Sequence, residues 1–233
     1  MSDLINDLKN DLKLEVIEKY GVSIYQDTNH FKFSIDAFCL AEFSKRYIKG
    51  KGRLIDLCSG TGIVGILIKK EKDDIDLELM EIQDYGCEIC KLNLKENDLE
   101  AKVFKYDLRE IGPDKFEYDK YDYITVNPPY MKSKSGLSTK TDKKDLAKIE
   151  PSDDFLKILF EKSFKLLKDR GQMFMVHKVE RLVDILSIAR QCRMEPKDIQ
   201  FIRNQNSTRP FLMLIRFVKN AGHYLRINDD MII

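Results

Sequence analysis

From Arg53 onward the chain alternates short apolar runs with amphipathic segments of helical period, and this alternation restricts the fold more than any other feature of the sequence. Arg53 to Leu57 (RLIDL), Leu77 to Met80, Val103 to Tyr106, Tyr121 to Val126 and Gln172 to Val176 (QMFMV) read as buried strands. Ile63 to Lys70, Asp84 to Glu96 and Asp154 to Leu167 read as helices, the last capped by Ser152 or Asp153 and ended by Arg170-Gly171. Repeated strand-helix-strand units predict a parallel sheet covered on both faces by helices. The rhythm changes near the end. After a helix over Val179 to Gln191, Ile199 to Arg203 and Phe211 to Val218 read as an antiparallel hairpin joined through NQNSTRP. Residues 1–50 are expected to form an N-terminal extension, helical at first, whose FKFSIDAFCLAEF segment ends in an amphipathic helix from near Ser34. The extension would pack on residues 51–233, giving a single domain overall.

Charge is distributed unevenly. Residues 1–130 carry 19 Lys and Arg against 26 Asp and Glu, whereas residues 131–233 carry 21 against 13. A cationic half suits a polyanion such as RNA, although the same charge also suits an ordinary solvated face. No run approaches the ~20 apolar residues of a membrane span, and the acidic-amphipathic start MSDLINDLKNDLKLE is unlike a signal peptide, so a cytoplasmic protein is expected. The five cysteines, an odd number in a chain able to build its own core, are expected to be reduced. Cys87 and Cys90 form a lone C-x2-C inside a helical pattern, so structural thiols are expected rather than a zinc site, and no metal is called for. The oligomeric state is left open, with a monomer favoured.

Two stretches carry chemistry. Asp56-Leu57-Cys58-Ser59-Gly60-Thr61-Gly62 follows a strand and opens a helix, where glycines let backbone approach a ligand and the helix start offers free N–H groups. Glu81, ending the next strand, is placed to accept hydrogen bonds from both hydroxyls of a ribose. Asp107, after the third strand, is placed to accept from an adenine amino group. These positions indicate a nucleoside-type cofactor. Reading Gly60-x-Gly62 on to Gly65 keeps a dinucleotide open as well. The second stretch, Asn127-Pro128-Pro129-Tyr130, ends the fourth strand with an amide, two residues of fixed φ and an aromatic ring. Met131 to Glu150 then forms a long loop with Lys132, Lys134, Lys140, Lys143, Lys144 and Lys148, read as a substrate guide.

Taken together, DLCSGTG, the acid of MEIQ, Asp107 and NPPY resemble the class I S-adenosylmethionine-dependent methyltransferases that modify exocyclic amino groups, within the small-domain methyltransferase superfamily. FKFSIDAFCLAEF and VHKVERLVDIL, in the same order, are similar to segments of the bacterial family that includes the tRNA1(Val) adenine N6-methyltransferase, over roughly residues 22–228. The resemblance implies a Rossmann-like α/β fold with a mostly parallel seven-stranded sheet, a C-terminal antiparallel hairpin and helices on both faces. It implies S-adenosylmethionine as cofactor and RNA, tRNA first, as partner. Asp56, Gly60 and Gly62 would line the methionine end, Glu81 the ribose and Asp107 the adenine, while Asn127, Pro128 and Tyr130 would hold the target base. Phe33, Lys132 and Lys134 would add substrate contacts. Cys58 stands where the family usually has a glycine, which a small thiol tolerates if the backbone needs only negative φ there. Ala147-Lys148-Ile149-Glu150 lacks the histidine that relatives tend to carry before the glutamate.

The chemistry explains the motif. An adenine N6 lone pair is delocalised into the ring and is a poor nucleophile. An amide oxygen from Asn127 and the carbonyl of Pro128 can each accept one N–H, drawing the nitrogen toward sp³ geometry, while Tyr130 stacks on a base taken out of its own stack. The same arrangement serves guanine N2 in ribosomal RNA or a glutamine amide in a release factor. A non-catalytic RNA-binding protein of the same fold is the further alternative. Five positions carry more than one reading: Phe31, Phe33 and Phe38 as core or base contact, Asp36 as cap or site, and His177 as a surface or structural histidine or a site residue.

Overall fold

The computed structural model describes residues 12–27, 35–129 and 154–233, together with the backbone of 131–132 and 149–150. The chain begins with strands β1 (Lys13–Ile17) and β2 (Val22–Gln26), followed by helix α1 (Ile35–Lys45). The central units are β3 (Gly52–Leu57), α2 (Ile63–Glu71), β4 (Ile75–Glu81), α3 (Asp84–Glu96), β5 (Lys102–Lys105) and β6 (Tyr121–Val126). Two short strands, β7 (Met131–Lys132) and β8 (Ile149–Glu150), pair in parallel. The chain then forms α4 (Phe155–Leu166), β9 (Leu167–Lys178), α5 (Leu182–Gln191), β10 (Met194–Arg203), β11 (Leu212–Lys219) and β12 (Arg226–Ile232).

The main sheet has eight strands in the order β12-β10-β11-β9-β6-β3-β4-β5. Strands β5, β4, β3, β6 and β9 run parallel, and the β10–β11 hairpin adds antiparallel to β9. The sheet therefore has one strand more than the seven expected. The addition is β12, a mostly exposed edge strand that pairs in parallel with β10. Residue alternation divides the core in two. Leu54, Leu77 and Phe174 face the side covered by α1, α2 and α3, whereas Ile55, Ile124 and Met173 face α4 and α5. Both sets are buried, as a doubly covered sheet requires.

Three local expectations need correction. The first described part of the N-terminal extension, residues 13–26, forms an antiparallel hairpin, with Leu14 opposite Tyr25 and Val16 opposite Ser23, where the extension was expected to start as a helix; residues 1–11 lie outside the described residues. Arg170-Gly171 does not separate α4 from the next strand. It interrupts β9 itself, with Arg170 at φ +62° and a register shift against β6 between Tyr121 and Tyr123. The segment after β9 opens with a single 3-10 turn over Val179–Arg181 before α5 begins. The capping residues Ser152 and Asp153 lie outside the described residues.

The hairpin docks by an unusual route. The carboxamide of Asn93, fully buried on α3, accepts from Tyr25 N–H at 2.6 Å and donates to the Tyr25 carbonyl at 2.9 Å. One turn later Asn97 repeats the pattern with Ser23, at 2.9 and 2.7 Å. Two side chains thus serve β2 as a missing neighbouring strand would, satisfying backbone groups that burial would otherwise leave unpaired.

Candidate active site

Chain order reverses at β3. From it the chain winds outward through β4 and β5, then crosses back to β6 on its other side. A ligand crevice is expected at the carboxyl ends of strands flanking such a switch point, and the residues singled out in sequence lie at the ends of β3, β4, β5 and β6.

The loop after β3 is built on positive φ. Gly60 and Gly62 sit at +57° and +79°, and a Cβ on Gly62 would lie 3.1 Å from Leu79 Cδ1. Ser59, to which the sequence motif assigns no role, fixes the loop to β4. Its N–H donates to the Met80 carbonyl at 3.0 Å and its hydroxyl accepts the Met80 N–H at 3.0 Å. Asn93 also donates to the Thr61 carbonyl at 2.9 Å, tying the N-terminal hairpin and this loop to one side chain.

Cys58 lies at φ +57°, so the condition of negative φ is not met. A side chain in this left-handed region costs about 1–2 kcal/mol. Burial pushes its thiol well above the ordinary range, and the carboxylates of Glu81, Asp56 and Asp107 all push in the same direction, so three candidate cofactor residues converge on this position. Cys58→Gly is expected to stay within about 1 kcal/mol of wild-type stability, whereas the β-branched Cys58→Val should lose about 1–3 kcal/mol. Urea denaturation of the two variants checks this; equal stability would show that the backbone does not demand left-handed geometry.

Glu81 is buried and accepts three backbone N–H groups, from Gly60 at 2.9 Å and from Ile82 and Gln83 at 3.0 Å each. Burial raises its pKa, and these N–H groups oppose the rise. Its neighbour Gly86 is required for closeness, since a Cβ there would lie 2.7 Å from Glu81 Cγ. Cys90 Sγ lies 3.2 Å from the Gly60 carbonyl and Cys87 Sγ 3.5 Å from that of Glu81, so the C-x2-C pair underlies the loop. Among the described residues no group of three His, Cys, Asp or Glu side chains is placed to hold a metal.

Asp107 is clamped by Arg109, whose Nε lies 2.9 and 3.0 Å from the two carboxylate oxygens and whose backbone N–H donates at 2.9 Å. The Arg109 side chain holds the Asp107 pKa below its ordinary value. This partner was not anticipated, although its spacing two residues after the acid is visible in the sequence.

Asp56 and Asn127 complete the set of strand-end residues. Asp56 is buried on β3, and Thr125 of β6 donates its hydroxyl to Asp56 Oδ1 at 2.7 Å. Asp56 Oδ2 and Asn127 Oδ1 are both buried acceptors without a hydrogen-bond partner. A buried acceptor left unpaired costs about 1–3 kcal/mol, so Asn127 Oδ1, at the end of β6, marks a place where a ligand's N–H group fits. Pro128, the next residue, is buried.

The remaining candidates separate. Phe38 stacks on Tyr20 at 5.8 Å and packs against the core. Asp36 is buried in the first turn of α1 and accepts the Ala37 N–H at 2.9 Å. His177 is buried at the end of β9, its Nδ1 accepts the Lys178 N–H at 2.9 Å, and burial lowers its pKa to about 4, as suits a structural and uncharged histidine. Phe31, Phe33, Tyr130, Lys134 and the side chain of Lys132 lie outside the described residues.

Comparison with known proteins agrees with this architecture. The chain is 28% identical over 148 residues to the tRNA1(Val) (adenine(37)-N6)-methyltransferase of Parabacteroides distasonis, covering 62% of this chain and 59% of that protein. It is 26% identical over 135 residues to the release factor glutamine methyltransferase of Leptospira interrogans, covering 54% of this chain and 46% of that one. The chain thus spans less than two thirds of the length of these curated relatives. A crystal structure described as a predicted O-methyltransferase from Agrobacterium tumefaciens superposes with a TM-score of 0.67 at 15% identity, covering 85% of this chain and 87% of that one. The family model for the methyltransferase small domain matches residues 36–187, the segment that holds the β3 loop, Glu81, Asp107 and Asn127, and the chain belongs to that family.

Proposed function

We infer that this chain transfers a methyl group from S-adenosylmethionine to an exocyclic amino group of a nucleobase in RNA, with N6 of adenosine in tRNA near the anticodon as the acceptor. The observation that carries the reading is the buried, unpartnered Asn127 Oδ1 at the end of β6, beside the β3 loop. The relative named for tRNA adenine N6 methylation supports the choice of acceptor. In this reading residues 51–233 form the methyltransferase domain and residues 1–50 an extension packed on it, working as one unit in the cytoplasm. No helix among the described residues is long and apolar enough to cross a membrane.

When bound, S-adenosylmethionine supplies an electrophilic methyl group on a sulfonium. The chain's own residues do the rest by position. Glu81, its carboxylate already fixed by three backbone N–H groups, would hold the ribose. Asp107, oriented by Arg109, would hold the adenine, and Asp56, oriented by Thr125, would with the Gly60–Gly62 turn hold the methionine end. Asn127 Oδ1 and the Pro128 carbonyl accept the two N–H groups of the target amine and aim its lone pair. Pro128 and Pro129 hold that register, and Tyr130 stacks on the base. No strong base is needed, because the amine loses its proton only after its nitrogen becomes positively charged.

Asp56 makes this arrangement sensitive to pH. Burial pushes its carboxyl up to about 7, opposed by the Thr125 hydroxyl and the Gly65 backbone N–H. The folded protein therefore holds this proton more tightly than an unfolded chain, whose aspartate titrates near about 4. The stability associated with the proton is full below about pH 4 and is lost as pH rises through about 7. The cofactor's ammonium favours the ionised form, so S-adenosylmethionine affinity is expected to rise between about pH 6 and pH 8, and Asp56→Asn should remove that rise. Calorimetric titration at both ends of the range checks it, and a flat wild-type affinity would remove Asp56 from the cofactor site.

The function is tested by incubating the protein with methyl-labelled S-adenosylmethionine and separate pools of unmodified tRNA, unmodified rRNA and release factor. Label in tRNA is the expected result. Label confined to release factor would move the reading to glutamine, and label in none would leave a binding protein.

A further inference from the structure

The polar NQNSTRP connection between β10 and β11 stands at the edge of the sheet where Asn127 ends β6. Val126 pairs with Met175 on β9, and Val176, the next residue, pairs with Leu214 on β11. Asn127 is therefore level with Leu214, two strand spacings or about 10 Å across the sheet. Leu212 pairs with Lys178, the last residue of β9, so Phe211 and the residues before it extend beyond the strand ends on the same side as Asn127. Three further residues from Leu214 to Phe211 add about 10 Å outward. One or two flanking nucleotides of a single strand can cover that offset.

Residues 204–211, NQNSTRPF, include no acid. Phe211 is 38% exposed although its backbone is held on both sides, donating to the Ile202 carbonyl at 3.0 Å and accepting from Val179 N–H at 3.4 Å. Arg209 is exposed and forms no ion pair among the described residues. Its own N–H donates to Ser207 Oγ at 3.1 Å, Arg203 donates to the Ser207 carbonyl at 3.0 Å, and Gln205 N–H donates to the Ile233 carbonyl at 3.0 Å. The loop is thus pre-ordered by its own contacts while its ring and its cation face solvent. An exposed aromatic on a fixed backbone with an unpaired guanidinium two residues away is a platform for a base and its phosphate.

We propose that the 204–211 loop is a subsite for single-stranded RNA flanking the target nucleotide, in which Phe211 stacks on a neighbouring base and Arg209 holds a backbone phosphate. The proposal rests on the RNA reading given above and adds to it RNA contacts from residues 204–211.

The test uses the full chain and an unmodified RNA stem-loop carrying adenosine in its loop, with binding followed by fluorescence anisotropy across a range of salt concentrations. Phe211→Ala is expected to weaken RNA binding by about 10-fold, with Phe211→Tyr retaining most of it. Arg209→Ala should weaken binding and reduce the log–log salt slope by about 0.7, one single-strand phosphate contact. S-adenosylmethionine affinity, measured by calorimetry, should stay at wild type in all three, which also reports that each variant is folded. Wild-type RNA affinity and salt slope in both alanine variants would overturn the subsite while leaving RNA methylation intact. A wild-type protein that neither binds nor methylates RNA, yet labels release factor, would overturn the RNA reading and the subsite with it.

Discussion

Asn127→Ala is expected to lower methyl-transfer turnover by about 100-fold or more, by analogy with the loss of one preorganised polar contact, while S-adenosylmethionine affinity stays near wild type. The asymmetry follows from geometry. The Asn127 carbonyl oxygen is buried at the end of β6 with nothing to accept, so removing it relieves a cost in the ligand-free protein instead of breaking a bond. The effect appears only when a target amine must be held and its lone pair aimed, where misplacement is expensive in rate. Single-turnover rates measured beside cofactor titration separate the two effects. Wild-type turnover in the variant would refute the proposed role, and a parallel loss of cofactor affinity would place Asn127 in the cofactor pocket.

Glu81→Ala should act in the opposite sense, by collapsing cofactor binding. The carboxylate holds the N–H groups of Gly60, Ile82 and Gln83, so its removal orphans three donors at the turn that must approach the ligand. Hydrogen bonds to a charged group are worth about 1.5–3 kcal/mol each, and losing those to the ribose as well should weaken S-adenosylmethionine binding by at least about 100-fold. Stability should fall by about 2–3 kcal/mol, because water can reach only part of the orphaned backbone. Calorimetry and urea denaturation check both. Unchanged affinity in a folded Glu81→Ala protein would contradict the assignment of this residue to the ribose.

Much of this site was legible because a parallel sheet brings the carboxyl ends of its strands to one edge. Asp56, Glu81, Asp107 and Asn127 lie in β3, at the end of β4 and just after β5 and β6, so recognising the strands was enough to gather the residues. The unpredicted parts depend on partners distant in sequence or on conformations the residue type does not announce. Nothing in Lys13 to Gln26 reveals that its backbone is completed by carboxamides 68 to 74 residues away. The edge strand β12, RINDDMI, has no buried face to impose an apolar alternation, so it was invisible to a periodicity argument. Arg170 adopts φ +62° inside a strand, where Arg-Gly ordinarily signals an end. Cys58 shows the limit of motif comparison: its departure from glycine was evident, but the left-handed backbone it must occupy was not.

The most direct test of the central claim is nucleoside mass spectrometry on unmodified total tRNA and rRNA after incubation with methyl-labelled S-adenosylmethionine and either the wild-type protein or Asn127→Ala. The account predicts labelled N6-methyladenosine with the wild type and its loss with the variant. Label in N2-methylguanosine, or no label in any RNA nucleoside, would contradict it.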